Sequence, residues 1–186
     1  MSHRVCPWWI GYLLASPIRR WIQDPLPIVS PYVHEGMTVL EPGPGMGFFT
    51  IPLARLVGPS GRVVAVDLQP RMIEGLKHRA AKASVLERID CRVSAAETMG
   101  IGDLTGKVDF TLAFAMVHEF PDASHFFGEA AIASKPNAKL LLAEPSGHVD
   151  EKTFEEELKA AFKAGFALAE RPSIRRSHAA VLVKRQ

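Results

Sequence analysis

Cysteine is nearly missing from this 186-residue chain, with Cys6 and Cys91 the only two. Two thiols cannot build a disulfide framework, and no CxxC pair is present for a structural zinc. A reducing, cytoplasmic setting is therefore the expectation. Long apolar runs are missing too: none reaches the ~18 residues that would read as a membrane span. Excess charge of one sign is also lacking. Twenty-two Lys and Arg stand against 20 Asp and Glu, a formal net charge of +2. That balance does not suit bulk electrostatic capture of DNA or RNA. There is no internal repeat, low-complexity tract or interdomain linker. What remains is globular composition, 47% hydrophobic and 23% charged, which excludes a disordered or collagen-like chain. The length suits one domain with a sizeable core.

The scarce residues are unevenly placed. All three tryptophans (Trp8, Trp9, Trp21) fall in the first 21 residues, and five of the 14 prolines precede Gly36. The run Val5–Ala15 (VCPWWIGYLLA) has the length of a signal-peptide core, but it is unusually bulky for one. A helix lying at a membrane interface is a second reading, and the only peripheral membrane contact that the sequence suggests. The plainer reading is a short helix opened by Pro7, packed on the domain over a ligand site. Residues 1–34 are thus expected to form a helical lid, and residues 35–186 the core of a single domain. Within the lid, Asp24–Val33 predicts one short helix from near Pro25, ended by Gly36. Cys6, beside the tryptophan pair, has two readings: a small buried hydrophobe, or a soft ligand for a metalloid or sulfur-bearing acceptor.

From Met37 onward, strand and helix patterns alternate. Strands are expected at Met37–Glu41, Arg62–Asp67, Ile89–Ser94, Val108–Ala115 and Lys139–Glu144. Helices are expected over Met46–Val57, from Pro70 to about Ser84, from an Asp122 cap to about Ser134, and over Asp150–Ala164. Lys135–Ala138 (KPNA) predicts a turn. Near-continuous apolar strands separated by helices imply a parallel sheet covered on both faces. The last two strands, Phe166–Glu170 and Ala179–Lys184, are too close for a crossover helix and should pair antiparallel. Arg171, Arg175, Arg176, Lys184 and Arg185 make this C-terminal stretch basic, with two readings: a surface that attracts an anionic substrate or partner, or a solvated edge that discourages edge pairing.

The strongest motif is Val39–Thr50, VLEPGPGMGFFT. Gly43, Gly45 and Gly47 let the backbone turn sharply and approach a ligand. The spacing is GxGxG, neither the pyrophosphate fingerprint GxGxxG nor a Walker loop. Glu41 would repel a phosphate and attract an ammonium. Asp67 ends the second strand, 24 residues after Gly43, where a carboxylate accepts hydrogen bonds from both hydroxyls of a ribose. An adenosine with a cationic amino-acid tail satisfies both acids.

With VLEPGPGMG, VVAVDLQPRMIE, VDFTLAFAMVHEFPD and KPNAKLLLAEPSGHV in hand, residues 30–185 resemble the class I S-adenosylmethionine-dependent methyltransferases. The resemblance is to their small type 11, quinone-methyltransferase-like group. It implies a Rossmann-like α/β fold: a seven-stranded, mostly parallel sheet with an antiparallel last strand and helices on both faces. By it, Glu41, Gly43, Pro44, Gly45 and Gly47 hold the methionine part of the cofactor. Asp67 holds the ribose, and Leu68 packs on the adenine. Two departures stand out. The family's glycine-aspartate-alanine after the third strand is replaced by Ser94-Ala95-Ala96-Glu97; the acid that contacts the adenine is missing, so Ser94 or Glu97 would substitute for it or a backbone contact alone would serve, with Ala95, Ala96 and Glu97 the expected contacts. The Gly-Gly after KP is replaced by Asn137-Ala138.

Catalytic candidates end the fourth and fifth strands: Met116-Val117-His118-Glu119 and Glu144-Pro145-Ser146-Gly147-His148. An Asn-Pro-Pro-Tyr-type ending is absent, which argues against methylation of an exocyclic base amine. His118 is the expected general base, because histidine titrates near neutral pH, with Glu119 orienting it or closing the cofactor pocket. His148 joins Trp8, Trp9 and Trp21 as an expected acceptor contact. The expected function is methyl transfer from S-adenosylmethionine to a small, partly apolar acceptor. Two alternatives stand beside it: a non-catalytic cofactor-binding protein acting through a partner, and a metal-assisted enzyme using His118, Glu119, Glu144 and His148.

Overall fold

Residues 23–186 are described in a computed structural model. The expected lid residues Trp8, Trp9 and Trp21, with Cys6, lie outside the described residues. The elements run α1 (Pro25–Val29), β1 (Thr38–Pro42), α2 (Thr50–Leu56), β2 (Arg62–Asp67), α3 (Pro70–Lys82), β3 (Ile89–Val93), β4 (Val108–Phe114), α4 (Ala123–Ala133), β5 (Ser134–Pro145), α5 (Glu151–Lys163), β6 (Phe166–Glu170) and β7 (Ser177–Lys184). The seven strands form one sheet in the order β3-β2-β1-β4-β5-β7-β6, the Rossmann-like arrangement expected. By contact density the described residues form two compact units, divided between Ser94 and Ala95.

In the first unit, β1, β2 and β3 pair parallel, with Leu40 opposite Val64 and Val64 opposite Asp90. Val39, Leu40 and Val63–Val66 are all buried. Continuous burial is what a parallel strand covered on both faces requires, and it explains why no polar residue interrupts these runs. Short helix α1 starts where Asp24 accepts the Leu26 N–H, with Pro25 at the first helical position. Pro70 opens α3 in the same way, and Met72, Ile73, Leu76 and Ala80 form its buried face. One boundary differs from expectation. Helical spacing suggests a start at Met46, but α2 begins at Thr50. Gly45 and Gly47 hold φ values of +54° and +86°, so the chain stays out of right-handed helix until it has passed them.

The second unit is built on β4, β5, β7 and β6. Strands β4 and β5 pair parallel, whereas β5–β7 and β6–β7 pair antiparallel, as the short final connection demands. Asp122 caps α4 by accepting the Ser124 N–H, and Asp150 caps α5 by accepting the Thr153 N–H. Phe110, Phe126, Phe127, Phe154 and Phe166 fill the core. The KPNA turn is corrected: β5 already begins at Ser134. Val108 pairs with Ser134 but Phe110 pairs with Lys139, so β5 absorbs the surplus residues as a bulge. Asn137 sits in it at φ +65°. Asparagine tolerates the left-handed region better than most residues, which is why it can stand where the family carries glycine.

Candidate active site

The first unit presents the acid–glycine–acid motif at the carboxyl ends of β1 and β2. Gly43 is tied to β2 through its N–H to the Val66 carbonyl, at 2.9 Å. Gly43, Gly45 and Gly47 all take positive φ. A Cβ on Gly45 would meet open space, whereas one on Gly47 would lie 2.6 Å from Leu76 Cδ1. Leu76 is fully buried, so its methyl must shift within the core. Gly47→Ala is therefore expected to cost about 1–3 kcal/mol in urea denaturation, and Gly45→Ala, which bears only the backbone strain, about 1 kcal/mol. The loop is also held from α3, where Arg79 donates to the Met46 carbonyl.

Glu41 is 3% exposed. Its Oε2 is buried without a hydrogen-bond partner. Burial pushes the Glu41 carboxyl up to about 8, the Thr50 hydroxyl offsets part of that, and Asp67 adds to it. A buried acid with an orphaned oxygen calls for a cation or donor from a ligand. Asp67 is 9% exposed, and its Oδ1 accepts the Gln69 N–H at 2.9 Å. Leu68, next to it, leaves an apolar side chain in solvent, as does Val93, the β3 residue paired with Asp67. The residues present fit S-adenosylmethionine: an ammonium for Glu41, a diol for Asp67 and apolar surface beside it. Cys91 on β3 is half-buried, and burial pushes its thiol up, which disfavours the nucleophilic thiolate.

In the second unit, β4 ends at Phe114 and the chain turns through Ala115 at φ +55°. Left-handed alanine is strained by about 1 kcal/mol or more, a cost met where the surroundings dictate the conformation. Here they do. Ala115 N–H bonds the Ala143 carbonyl at 2.7 Å, and the turn Val117–Glu119 follows at once. Glu144, at the end of β5, is fully buried. Its Oε1 accepts the N–H groups of Met116 and Val117 at 3.3 and 2.8 Å. Its Oε2 bonds His118 Nδ1. One carboxylate thus fixes both the turn and the histidine on it. His118 is half-buried, and its pKa is raised, first by the Glu144 hydrogen bond, against the opposing effect of burial. The charge of Glu119 raises it further. The acid bonded to His118 is thus Glu144, beside the expectation that Glu119 orients it or closes the cofactor pocket.

His148 lies exposed on the turn after β5, its ring parallel to that of His118 with centroids 6.3 Å apart. Its N–H bonds the Pro145 carbonyl. Ala95, Ala96 and Glu97 are exposed, and Ala95 bridges Thr98. Among the described residues, no three His, Cys, Asp or Glu side chains are disposed to share a metal ion. No described helix is long and apolar enough to cross a membrane.

A Rossmann-like sheet bearing an orphaned acid, a left-handed glycine loop and a second-strand acid is the cofactor domain of a class I methyltransferase. Residues 33–178 match the family model for a methyltransferase domain, and the chain belongs to that family. It is 29% identical over 143 residues to a ubiquinone biosynthesis O-methyltransferase of Methylocella silvestris, covering 76% of this chain and 53% of that one. It is 27% identical over 109 residues to an arsenite methyltransferase of Halobacterium salinarum, covering 59% of this chain and 27% of that one. The chain thus spans about a quarter to a half of the length of these curated relatives. A solved S-adenosylmethionine-dependent methyltransferase from Aquifex aeolicus superposes with a TM-score of 0.83 at 23% identity, over 96% of this chain and 98% of that one. At that identity the likeness speaks for the fold.

Proposed function

We propose that the protein methylates a small, partly apolar acceptor whose attacking atom carries a proton, with S-adenosylmethionine as donor. The observation that carries this reading is the His118–Glu144 pair. A half-buried imidazole, bonded through Nδ1 to a fully buried carboxylate, keeps Nε2 as its second ring nitrogen for proton transfer. Glu41 and the Gly43–Gly47 loop would hold the aminocarboxypropyl part of the cofactor, Asp67 its ribose, and Leu68 with Val93 its base. Ala95, Ala96 and Glu97 would complete the base contacts. When bound, the cofactor supplies an electrophilic methyl on a sulfonium.

The chain's residues do the rest. His118 Nε2 takes the acceptor proton, and Glu144 stabilises the imidazolium that results. Positioning and exclusion of water supply most of the acceleration. Among the described residues His148 would contact the acceptor; Trp8, Trp9 and Trp21 lie outside the described residues. Support for a small acceptor comes from the relatives, one named for arsenite and the other for ubiquinone biosynthesis.

Calorimetry with S-adenosylmethionine and S-adenosylhomocysteine tests the cofactor half, and Asp67→Ala is expected to weaken binding by more than about tenfold, the loss of a charge-assisted hydrogen-bond pair. A panel of thiols, phenols and metalloid oxyanions tests turnover. Binding without turnover on any of them would favour the non-catalytic reading. No binding at all would sink both.

A further inference from the structure

The first unit holds an open cavity of about 380 Å³ between α2 and α3. Glu41, Asp67 and Leu68, read above as cofactor contacts, do not line it; Gly47 is the one residue of the glycine loop that does. Three cations converge on it. Arg55 comes from the last turn of α2, and Arg79 and Lys82 come from the last turn of α3. Phe48, Ile51 and Pro52 supply its apolar wall, and no carboxylate lines it.

The cations are left without counter-charge in different ways. Arg55 and Lys82 are exposed, and neither makes an ion pair or hydrogen bond with another described residue. Arg79 is half-buried and donates to the Met46 carbonyl. A carbonyl accepts a hydrogen bond but brings no negative charge, and burial lowers the pKa of this guanidinium. Nearby arginines are treated otherwise: Arg88 pairs with Glu87 at 3.3 Å and Arg92 with Asp90 at 2.6 Å. Cations in a last turn favour the helix dipole. They do so equally well from any exposed face, so the dipoles do not account for three of them sharing one cavity, where they repel one another.

We propose that this cavity is a binding site for a small phosphate-bearing ligand with an apolar body, separate from the cofactor and acceptor sites. A cleft lined by one sign of charge focuses its field and gathers counter-ions. Arginine forks match the oxygens of a phosphate, and three cations suit a dianionic phosphate monoester better than a single carboxylate. The volume lies in the range of small-molecule pockets, roughly 300–1,000 Å³, which leaves room beyond a phosphate group for an apolar body against Phe48, Ile51 and Pro52. The site does not depend on the role of His118 or on the identity of the acceptor.

The test is a titration with phenyl phosphate, followed by NMR of the arginine Nε–H groups and the Phe48 ring. Saturable shifts of Arg55, Arg79 and Phe48 are expected, with an affinity at least about fivefold above that of inorganic phosphate, from burial of the phenyl ring. Benzoate, with the same ring and one charge, should bind about threefold or more weakly than phenyl phosphate. Arg55→Gln and Lys82→Gln should each weaken phenyl phosphate by about threefold, and together by about tenfold. Both side chains are exposed, so neither change disturbs the core. Absence of saturable shifts, or an unchanged affinity in the double variant, overturns the proposal. Inorganic phosphate binding as tightly as phenyl phosphate overturns the apolar body, and benzoate binding as tightly overturns the phosphate. Displacement of phenyl phosphate by S-adenosylhomocysteine overturns the separation, because the cavity would then belong to the cofactor site.

Discussion

Glu41→Gln is expected to weaken S-adenosylmethionine binding by more than about tenfold, and yet to stabilise the free protein at neutral and alkaline pH. Both effects come from the same buried carboxyl. Folding raises it from an ordinary 4.5 to about 8. Between those values the folded chain holds a proton that the unfolded chain has lost, so stability falls as pH rises through the window. Below about 4.5 the penalty is absent, and above about 8 it is complete, on the order of a few kcal/mol. Glutamine keeps the shape and removes the ionisation. The wild-type melting temperature should therefore decline from pH 5 to pH 8.5 more steeply than that of the variant. Glu157, also raised to about 8, contributes a slope of the same sign that remains in Glu41→Gln. His118 adds to it, since a raised imidazole stabilises below 6.5 and loses that contribution as pH rises through its folded value.

Ligand binding should reverse the sign at Glu41. An ammonium beside the orphaned Oε2 favours the carboxylate, so binding at pH 6.5 releases close to one proton from this group. Calorimetry in buffers of different ionisation enthalpy counts that proton. The wild-type protein should release it and Glu41→Gln should not. Equal release from both would place the cofactor's ammonium elsewhere.

How much of this could be read in advance depended on whether a pattern was local. The parallel runs Val39–Leu40 and Val63–Val66 announced themselves because burial on both faces leaves no room for polar residues within them. The caps at Asp24, Asp122 and Asp150 follow from short-range hydrogen bonding. Helix α2 started late because its onset is set by left-handed glycines, not by apolar spacing. The β5 bulge was hidden because a proline and an asparagine read as a turn whether or not a partner strand continues past them. At the site, Glu41 and Asp67 were legible from their positions at strand ends. Glu144 as the orienting acid was not, because it lies 26 residues from His118 and only the β4–β5 pairing brings the two together. The burial of Glu157 on α5 was less legible still: within a run of three glutamates, sequence spacing says nothing about which one is swallowed by the core.

His118→Ala should lower turnover about 10²–10⁴-fold with an acceptor that is protonated at the working pH, and little with one already ionised. That contrast distinguishes a base from a residue that merely lines the acceptor space, which would cost both acceptors alike. Glu144→Gln is the sharper variant. The glutamine carbonyl can still accept from Met116 and Val117 N–H, so the turn keeps its support, while the charge that raises His118 is gone. The wild-type rate on a protonated acceptor should climb through a limb above pH 6.5, because His118 is raised and acts as a base only when neutral. In Glu144→Gln that limb should move to lower pH, with a reduced plateau, since the imidazolium formed in the transition state has lost its counter-charge. A lowered plateau without a shifted limb would leave Glu144 as a prop for the turn alone. A shifted limb without a lowered plateau would mean that proton transfer to His118 does not limit the reaction.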